Sequence, residues 1–393
     1  MLLYWLWFNL MGEFSRRQKL ELLRHFSDPE DIYLCKDFSH IPGLTQAQLA
    51  ELLNKDMREA EKLRNVCRRK DIRILSIQDE DYPFRLRNIA DPPLVLFYKG
   101  ILPDLSQMPA IGIVGTRKAT AYGLNIARRF AGEIAQCGGL VVSGGAAGID
   151  TMGLQGALDV AGQTVAVLGC GVDVVYPRTN RRLFMQIEER GCLISEYLPG
   201  TQPKPWHFPE RNRIISGISN GVLVIEAPER SGALITARDA LEQGRDVYAV
   251  PANIDMPTCA GSNALLSNGA TAVFSGWDVV KEYAPQYPGR VAYQKNQTKK
   301  ADMKVAQPVQ LPIADKKDID IPADNSYIVT VDNYALTPLE SQVLACLDHM
   351  PKHMDDVIAQ LDMPAGEVMK VITNLSLKGM VVSHPGRLVS VRK

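Results

Sequence analysis

The chain has no excess of either charge, no CxxC pair, no Walker A sequence and no apolar run long enough to cross a bilayer. Each absence removes a class of function. Lys+Arg and Asp+Glu each number 44 in 393 residues, so no global positive field gathers nucleic acid, and such binding has to rest on a local patch. The cysteines, Cys35, Cys67, Cys137, Cys170, Cys192, Cys259 and Cys346, are scattered and odd in number. They spell neither a disulfide framework nor a zinc site, and they fit a reducing cytoplasm. The apolar opening Met1 to Met11 is too short to span a membrane and lacks the basic lead-in and cleavage site of a signal peptide. A helix packed on an N-terminal domain is expected there, in a cytoplasmic protein with no membrane insertion. At 46% hydrophobic and 22% charged, the chain can bury a large core and should form about two to four domains.

Two glycine-rich loops are present, each leaving an apolar run and entering a helical stretch: Ile111 to Lys118, with Gly115, Thr116 and Arg117, and Val141 to Asp150, with Ser143, Gly144 and Gly145. Glycines let the backbone approach an anion, and amides at a helix start point toward it. Arg117 adds a donor fork that fits a phosphate. Common owners of such a phosphate fail on spacing. A dinucleotide fingerprint needs GxGxxG and then an acidic residue about 20 positions on. Gly112 and Gly115 have the wrong separation, and the second apolar run ends in Ser143-Gly144-Gly145 without a carboxylate. No glycine precedes Lys-Ser or Lys-Thr, so a P-loop is absent too, and no cofactor is called for.

Residues 1–70 carry helical periodicity and predict a small all-α domain. Within it, Ile41-Pro42-Gly43-Leu44 reads either as the hairpin of a helix-hairpin-helix (SAM-like) unit or as a plain turn. From 71 to 284, short apolar runs alternate with helical segments: 111–114, 140–142, 164–168, 192–195, 222–225, 247–250 and 272–274 read as strands. Strict alternation predicts an α/β fold with a parallel sheet covered on both faces, and ligands beyond the carboxyl ends of the strands. Residues 285–332 are rich in Pro, Gln, Lys and Asp and read as a flexible linker. In 333–393, the capping box Thr337-Pro338-Leu339-Glu340, further helices near 355–361 and up to Leu377, and two strands around His384 to Arg387 make a winged-helix pattern. Its third helix carries Glu367, Lys370 and Lys378, so DNA reading and a protein-contact role both stand.

The segment Lys204-Pro-Trp206-His207-Phe208-Pro-Glu-Arg211-Asn212-Arg213 mixes aromatics with cations. Stacking tolerates any base and charge tolerates any sequence, so this mixture suits a single strand. Alternatively the aromatics fill the core and the arginines pair with Glu196, Glu210 or Glu226.

Taken together, Asp81-Tyr-Pro83, Asp91-Pro-Pro93, Gly115-Thr-Arg117, Ser143 to Asp150, Phe208 to Ile215 and Ser231 to Ala237 resemble the bacterial DNA-processing protein A (DprA/Smf) family. The resemblance spans about residues 71–284, with several motifs in the right order. It implies an extended Rossmann-like domain binding single-stranded DNA without strong sequence preference. It also implies protection of incoming strands in natural transformation, loading of a RecA-type recombinase, and a homodimer. Carried over by position, Gly115, Thr116, Arg117 and Lys118 with Ser143, Gly144 and Gly145 are similar to the family's phosphate loops, Phe208 to its stacking aromatic, and Arg211, Asn212 and Arg213 to its basic motif. Some members place a lysine three residues before the phenylalanine; here Pro205 stands there and Lys204 lies one step earlier.

Asp150, in the first turn after the second loop, is expected to fix that loop, because a carboxylate repels phosphate. Glu196 and Glu226 are expected to partner arginines, and His207 to pack or hydrogen-bond; neither a metal site nor a catalytic residue is apparent. The competing reading is a nucleotide-processing enzyme of the phosphoribohydrolase type, in which Glu226 assists glycosidic cleavage.

Overall fold

Alternate residues of the strand Ala110–Val114 face opposite cores: Ala110 and Val114 join one cluster, Ile111 and Ile113 the other, and all four are buried. A strand apolar on both faces has to lie inside a sheet covered on both sides, and the rest of the fold follows from that demand. The computed structural model describes residues 1–293, 337–348, 352–361, 365–377, 380–384 and 388–391.

The first compact unit begins with five helices, α1 (Leu2–Leu10), α2 (Arg16–His25), α3 (Pro29–Leu34), α4 (Gln46–Leu53) and α5 (Arg58–Arg69). Ser15 and Thr45 close capping boxes on α2 and α4. As expected, the apolar opening is a packed helix: Trp5, Leu6, Trp7 and Phe8 are buried in α1. Their cluster also takes in Val95 and Phe97 of the sheet and Val172, so residue 70 marks a change of element type without a break in packing. Ile41 to Leu44 turns the chain between α3 and α4, with Gly43 at φ 78.

Next come β1 (Arg73–Ser76), α6 (Phe84–Arg87), β2 (Val95–Gly100), β3 (Ala110–Val114), α7 (Ala121–Gln136), β4 (Leu140–Ser143), α8 (Ile149–Asp159) and β5 (Thr164–Val167). They are followed by α9 (Arg181–Arg190), β6 (Cys192–Ser195), α10 (His207–Ile218), β7 (Gly221–Val224), α11 (Gly232–Glu242), β8 (Asp246–Ala249), α12 (Ala260–Ser267), β9 (Thr271–Ala272) and α13 (Gly276–Val280). The sheet order is β1-β2-β6-β5-β4-β3-β7-β8-β9. From β6 to β9 every pair is parallel. The expected parallel core is thus present, and one edge of the sheet is antiparallel, where β2 runs against both β1 and β6. Residues of α10 and α11 cover one face, and residues of α7 and α13 the other. The chain leaves β3 toward β4, β5 and β6 on one side and later adds β7, β8 and β9 on the other, so the strand order reverses between β3 and β7.

The linker expected from 285 starts too early. Tyr287 is buried, its hydroxyl accepts from Arg85, and the Ala292 amide donates to the Cys137 carbonyl. The rest of that segment, 294–332, lies outside the described residues.

The second unit holds α14 (Pro338–Ala345), α15 (Met354–Leu361) and α16 (Ala365–Leu377) with a three-stranded sheet of order β10 (Lys352–His353), β12 (Leu388–Val391) and β11 (Val381–His384). Thr337 and Glu340 close the expected capping box. Val343, Val357, Val368, Ile372 and Leu375 form its core. The expected turn at 362–364, Lys378 and the wing tip at 385–387 lie outside the described residues.

Candidate nucleic-acid interface

A cleft of about 410 Å³ opens beyond the carboxyl ends of β3 and β7, where the strand order reverses, and Thr116, Arg117, Phe208, Arg230, Ser231 and Thr236 are among its walls. Crevices of this kind are where open α/β sheets bind ligands.

The first glycine loop is pinned at Thr116. Its amide donates to the Glu226 carbonyl at 2.7 Å, and its carbonyl accepts from the Ile149 amide at 3.3 Å. Gly148 makes the close approach possible: its φ is +83, and a Cβ there would run into the carbonyls of Thr116 and Arg117. With the backbone so fixed, Arg117 and Lys118 project as exposed cations, and no carboxylate forms an ion pair with either among the described residues. The Arg117 guanidinium carbon lies 5.0 Å from the centroid of the Phe208 ring, and Tyr176 continues the aromatic surface at 5.5 Å. Opposite them α11 begins. Ser231 caps it by accepting from the Ala233 amide at 3.2 Å, Asn212 donates to the Gly232 carbonyl at 3.1 Å, and exposed Arg230 precedes the cap. The start of α11 therefore brings partial positive charge to a wall that already carries cations.

The floor is a buried pair of opposite charges. Arg211 is 3% exposed and donates to the carbonyls of Gly144 and Val167. A Cβ on Gly144 would sit 2.5 Å from that guanidinium, which accounts for glycine at this position. Asp150 accepts from the Ala146 amide at 3.3 Å, fixing the loop as expected. Burial pushes its carboxyl up to about 6, against the pull of Arg211 and Arg117. Burial likewise lowers Arg211, with Asp150 opposing.

Gly115, Thr116, Arg117, Lys118, Phe208, Arg211 and Asn212 all line the cleft. The other candidates do not. Ser143 is buried and donates to the Ile113 carbonyl at 2.6 Å, tying β4 to β3, while Gly144 and Gly145 form the turn behind the floor. Lys204 sits over the exposed Trp206 ring at 5.4 Å. Arg213 is committed elsewhere: with Arg16 it holds Glu196 and Asp91, at 2.6 and 3.3 Å from Arg213 and at 2.6 and 2.8 Å from Arg16. The reason is the helix. Positions two apart on α10 face different ways, so Arg211 points toward the cleft floor while Arg213 turns toward α2. Glu196 thus partners arginines as expected, but Glu226 forms no ion pair with an arginine among the described residues. Its buried carboxylate accepts from the Thr120 amide and hydroxyl at 2.8 and 2.6 Å, holding the residue that caps α7, and it is not among the residues that line the cleft. His207 stacks on Tyr197 at 4.1 Å and bonds the Gly169 carbonyl at 3.1 Å, a packing role. Arg230, Tyr176 and the start of α11 carry no site signal in the sequence beyond Ser231-Gly232 after an apolar run, which marks a helix start.

Fold and cleft define a Rossmann-like protein whose cleft is lined by cations and an aromatic ring, and the same chain carries a winged-helix unit. The sequence profile of the family described as DNA recombination-mediator protein A matches residues 73–284, and that of the DprA winged helix domain matches residues 331–387. The chain is 45% identical over 215 residues to DNA processing protein DprA of Bacillus subtilis, covering 55% of this chain and 72% of that protein. It is 31% identical over 358 residues to protein Smf of Escherichia coli, covering 89% and 86%. The crystal structure of DNA processing protein A from Streptococcus pneumoniae superimposes with a TM-score of 0.62 at 34% identity, over 72% of this chain and 98% of that one. The Helicobacter pylori DNA processing protein A, whose structure is described for its single-stranded DNA binding mode, gives 0.50 at 28% identity over 55% and 97%. The chain belongs to the DNA-processing protein A (DprA/Smf) family.

Proposed function

We propose that this protein binds single-stranded DNA without strong sequence preference across the cleft between β3 and β7. The observation that carries the reading is the pairing of exposed Arg117 with the Phe208 ring at the cleft mouth. One strand needs both: a cation for the phosphate and an aromatic face for the neighbouring base. Lys118, Arg230 and the start of α11 add positive character, whereas Arg211 and Asn212 shape the cleft from within. The Helicobacter pylori relative's single-stranded DNA binding supports the same assignment.

Family membership supports a place in natural transformation, with the protein guarding incoming strands in the cytoplasm, acting as a homodimer and passing the strand to a RecA-type recombinase. Recombinase filament growth on protein-coated strands, followed with and without this protein, tests the hand-over.

Arg117→Glu abolishes strand binding in a gel-shift assay while the circular dichroism spectrum stays that of the folded protein. Wild-type binding by that variant sinks the proposal. Incubation with nucleoside monophosphates releases no free base.

A further inference from the structure

Beside the cleft lies a second basic surface that the proposed site does not use. A short 3-10 turn, Arg178–Asn180, leads directly into α9, and Arg178, Arg181 and Arg182 are all exposed. Their spacing, three and four residues apart, gathers them on one side of the turn and helix. The other side, with Leu183, Phe184 and Ile187, is buried in the core. None of the three arginines forms an ion pair among the described residues. The acidic residues of α9, Glu188 and Glu189, lie toward its far end, and Glu188 is taken by Lys99 at 3.0 Å.

This surface is held in register with the cleft. Asn180 donates to the carbonyl of Gly145 in the second glycine loop at 3.0 Å and to the Thr151 hydroxyl at 2.8 Å. Tyr176 precedes the turn, is 41% exposed, and sits 5.5 Å from the Phe208 ring. Cation and two aromatics thus follow one another from Arg117 through Phe208 to Tyr176, and Arg178 lies two residues further along the chain.

We infer that the strand path continues from Phe208 over Tyr176 onto the Arg178, Arg181 and Arg182 face of α9, which forms an additional phosphate-binding surface for single-stranded DNA. The inference rests on the strand-binding reading of the cleft. Its consequence is a longer site whose outer part is electrostatic and therefore salt-sensitive.

The test uses the full-length protein and fluorescently labelled oligo-dT of about 4 and about 16 nucleotides, within the span of single-strand grooves, titrated at several salt concentrations. The wild type gains affinity and salt dependence with length. The triple variant Arg178→Gln, Arg181→Gln, Arg182→Gln binds the short oligomer as the wild type does but loses the gain. Its log–log salt slope on the long oligomer is shallower by about 2, at about 0.7 per phosphate contact. Replacing the same three residues with lysine keeps the slope. A matching thermal transition shows that the exposed substitutions leave the fold intact. The inference is overturned if the glutamine variant binds the long oligomer with wild-type affinity and slope, as it does if these arginines serve an acidic protein surface instead. If the wild type binds neither oligomer, the strand reading of the cleft itself has failed.

Discussion

The guanidinium of Arg117 stands 5.0 Å from the centroid of the Phe208 ring, joining the loop after β3 to the first turn of α10. Neither residue makes a strand site alone. A cation beside an aromatic face gives both a phosphate contact and a stacking platform, and neither reads base identity. Phe208→Ala is therefore expected to weaken oligo-dT binding by about 1–3 kcal/mol, about 5- to 150-fold in Kd, with the salt slope unchanged. Phe208→Tyr keeps most of the affinity. Fluorescence titration of both variants at fixed salt checks this.

Arg213 behaves differently from Arg211 and Arg117 because its partners are protein carboxylates. Its side chain is 12% exposed and that of Glu196 8%. Removing one partner of a buried pair costs about 3–5 kcal/mol, and with Arg16 still holding both carboxylates the loss for Arg213→Ala falls at the low end, about 3 kcal/mol. The denaturation midpoint drops accordingly. The salt slope of strand binding stays at the wild-type value, whereas a phosphate-contacting Arg213 lowers it by about 0.7.

Asp150 makes strand binding pH-dependent. Burial raises its carboxyl to about 6, so it is mostly charged at pH 7 and becomes neutral as the pH falls through 6. A negative charge on the cleft floor opposes phosphate, hence affinity rises as the pH is lowered from 7 to just below 6. For stability the sign is the same: the folded carboxyl binds its proton more tightly than the unfolded one, so this contribution is present below the ordinary Asp range and is lost as the pH rises through about 6. Asp150→Asn flattens the affinity profile over that window, as titrations at matched ionic strength can measure.

Much of this architecture is legible in the residues. All seven apolar runs read as strands overlap observed strands; β3 to β7 are buried along their whole length and so carry continuous apolar runs, whereas the run 272–274 meets the short, exposed β9 only at Ala272. β1 and β2 escape that reading: they form an antiparallel edge whose residues alternate less clearly between buried and exposed. The two glycine loops that line or back the cleft are legible through their glycines, and the resemblance to one family orders the remaining motifs. The segment from 204 to 216 allows two readings in the sequence, strand contact or pairing of its arginines with carboxylates such as Glu196, and the fold divides them among its residues. Read as a line of aromatics and cations, it distributes Lys204, Arg211 and Arg213 along one strand of DNA. Folded as the start of α10, it buries Arg211, pairs Arg213 with Asp91 and Glu196, and leaves Phe208 at the cleft. Linear spacing does not reveal which side of a helix each residue takes until the helix is recognised. Pro209 falls within the first turn of α10, where proline is tolerated. The walls given by Arg230 and Ser231 are not visible in linear sequence because the cleft forms only where β7 lies beside β3.

The central claim is tested most directly by titrating the protein with oligo-dT and with duplex DNA of equal length at two salt concentrations. A strand laid on Arg117 and Phe208 gives tighter binding to oligo-dT than to duplex, and a log–log salt slope of about −0.7 for each phosphate contacted. Equal affinity for the two forms, or binding to oligo-dT that does not change with salt, contradicts it.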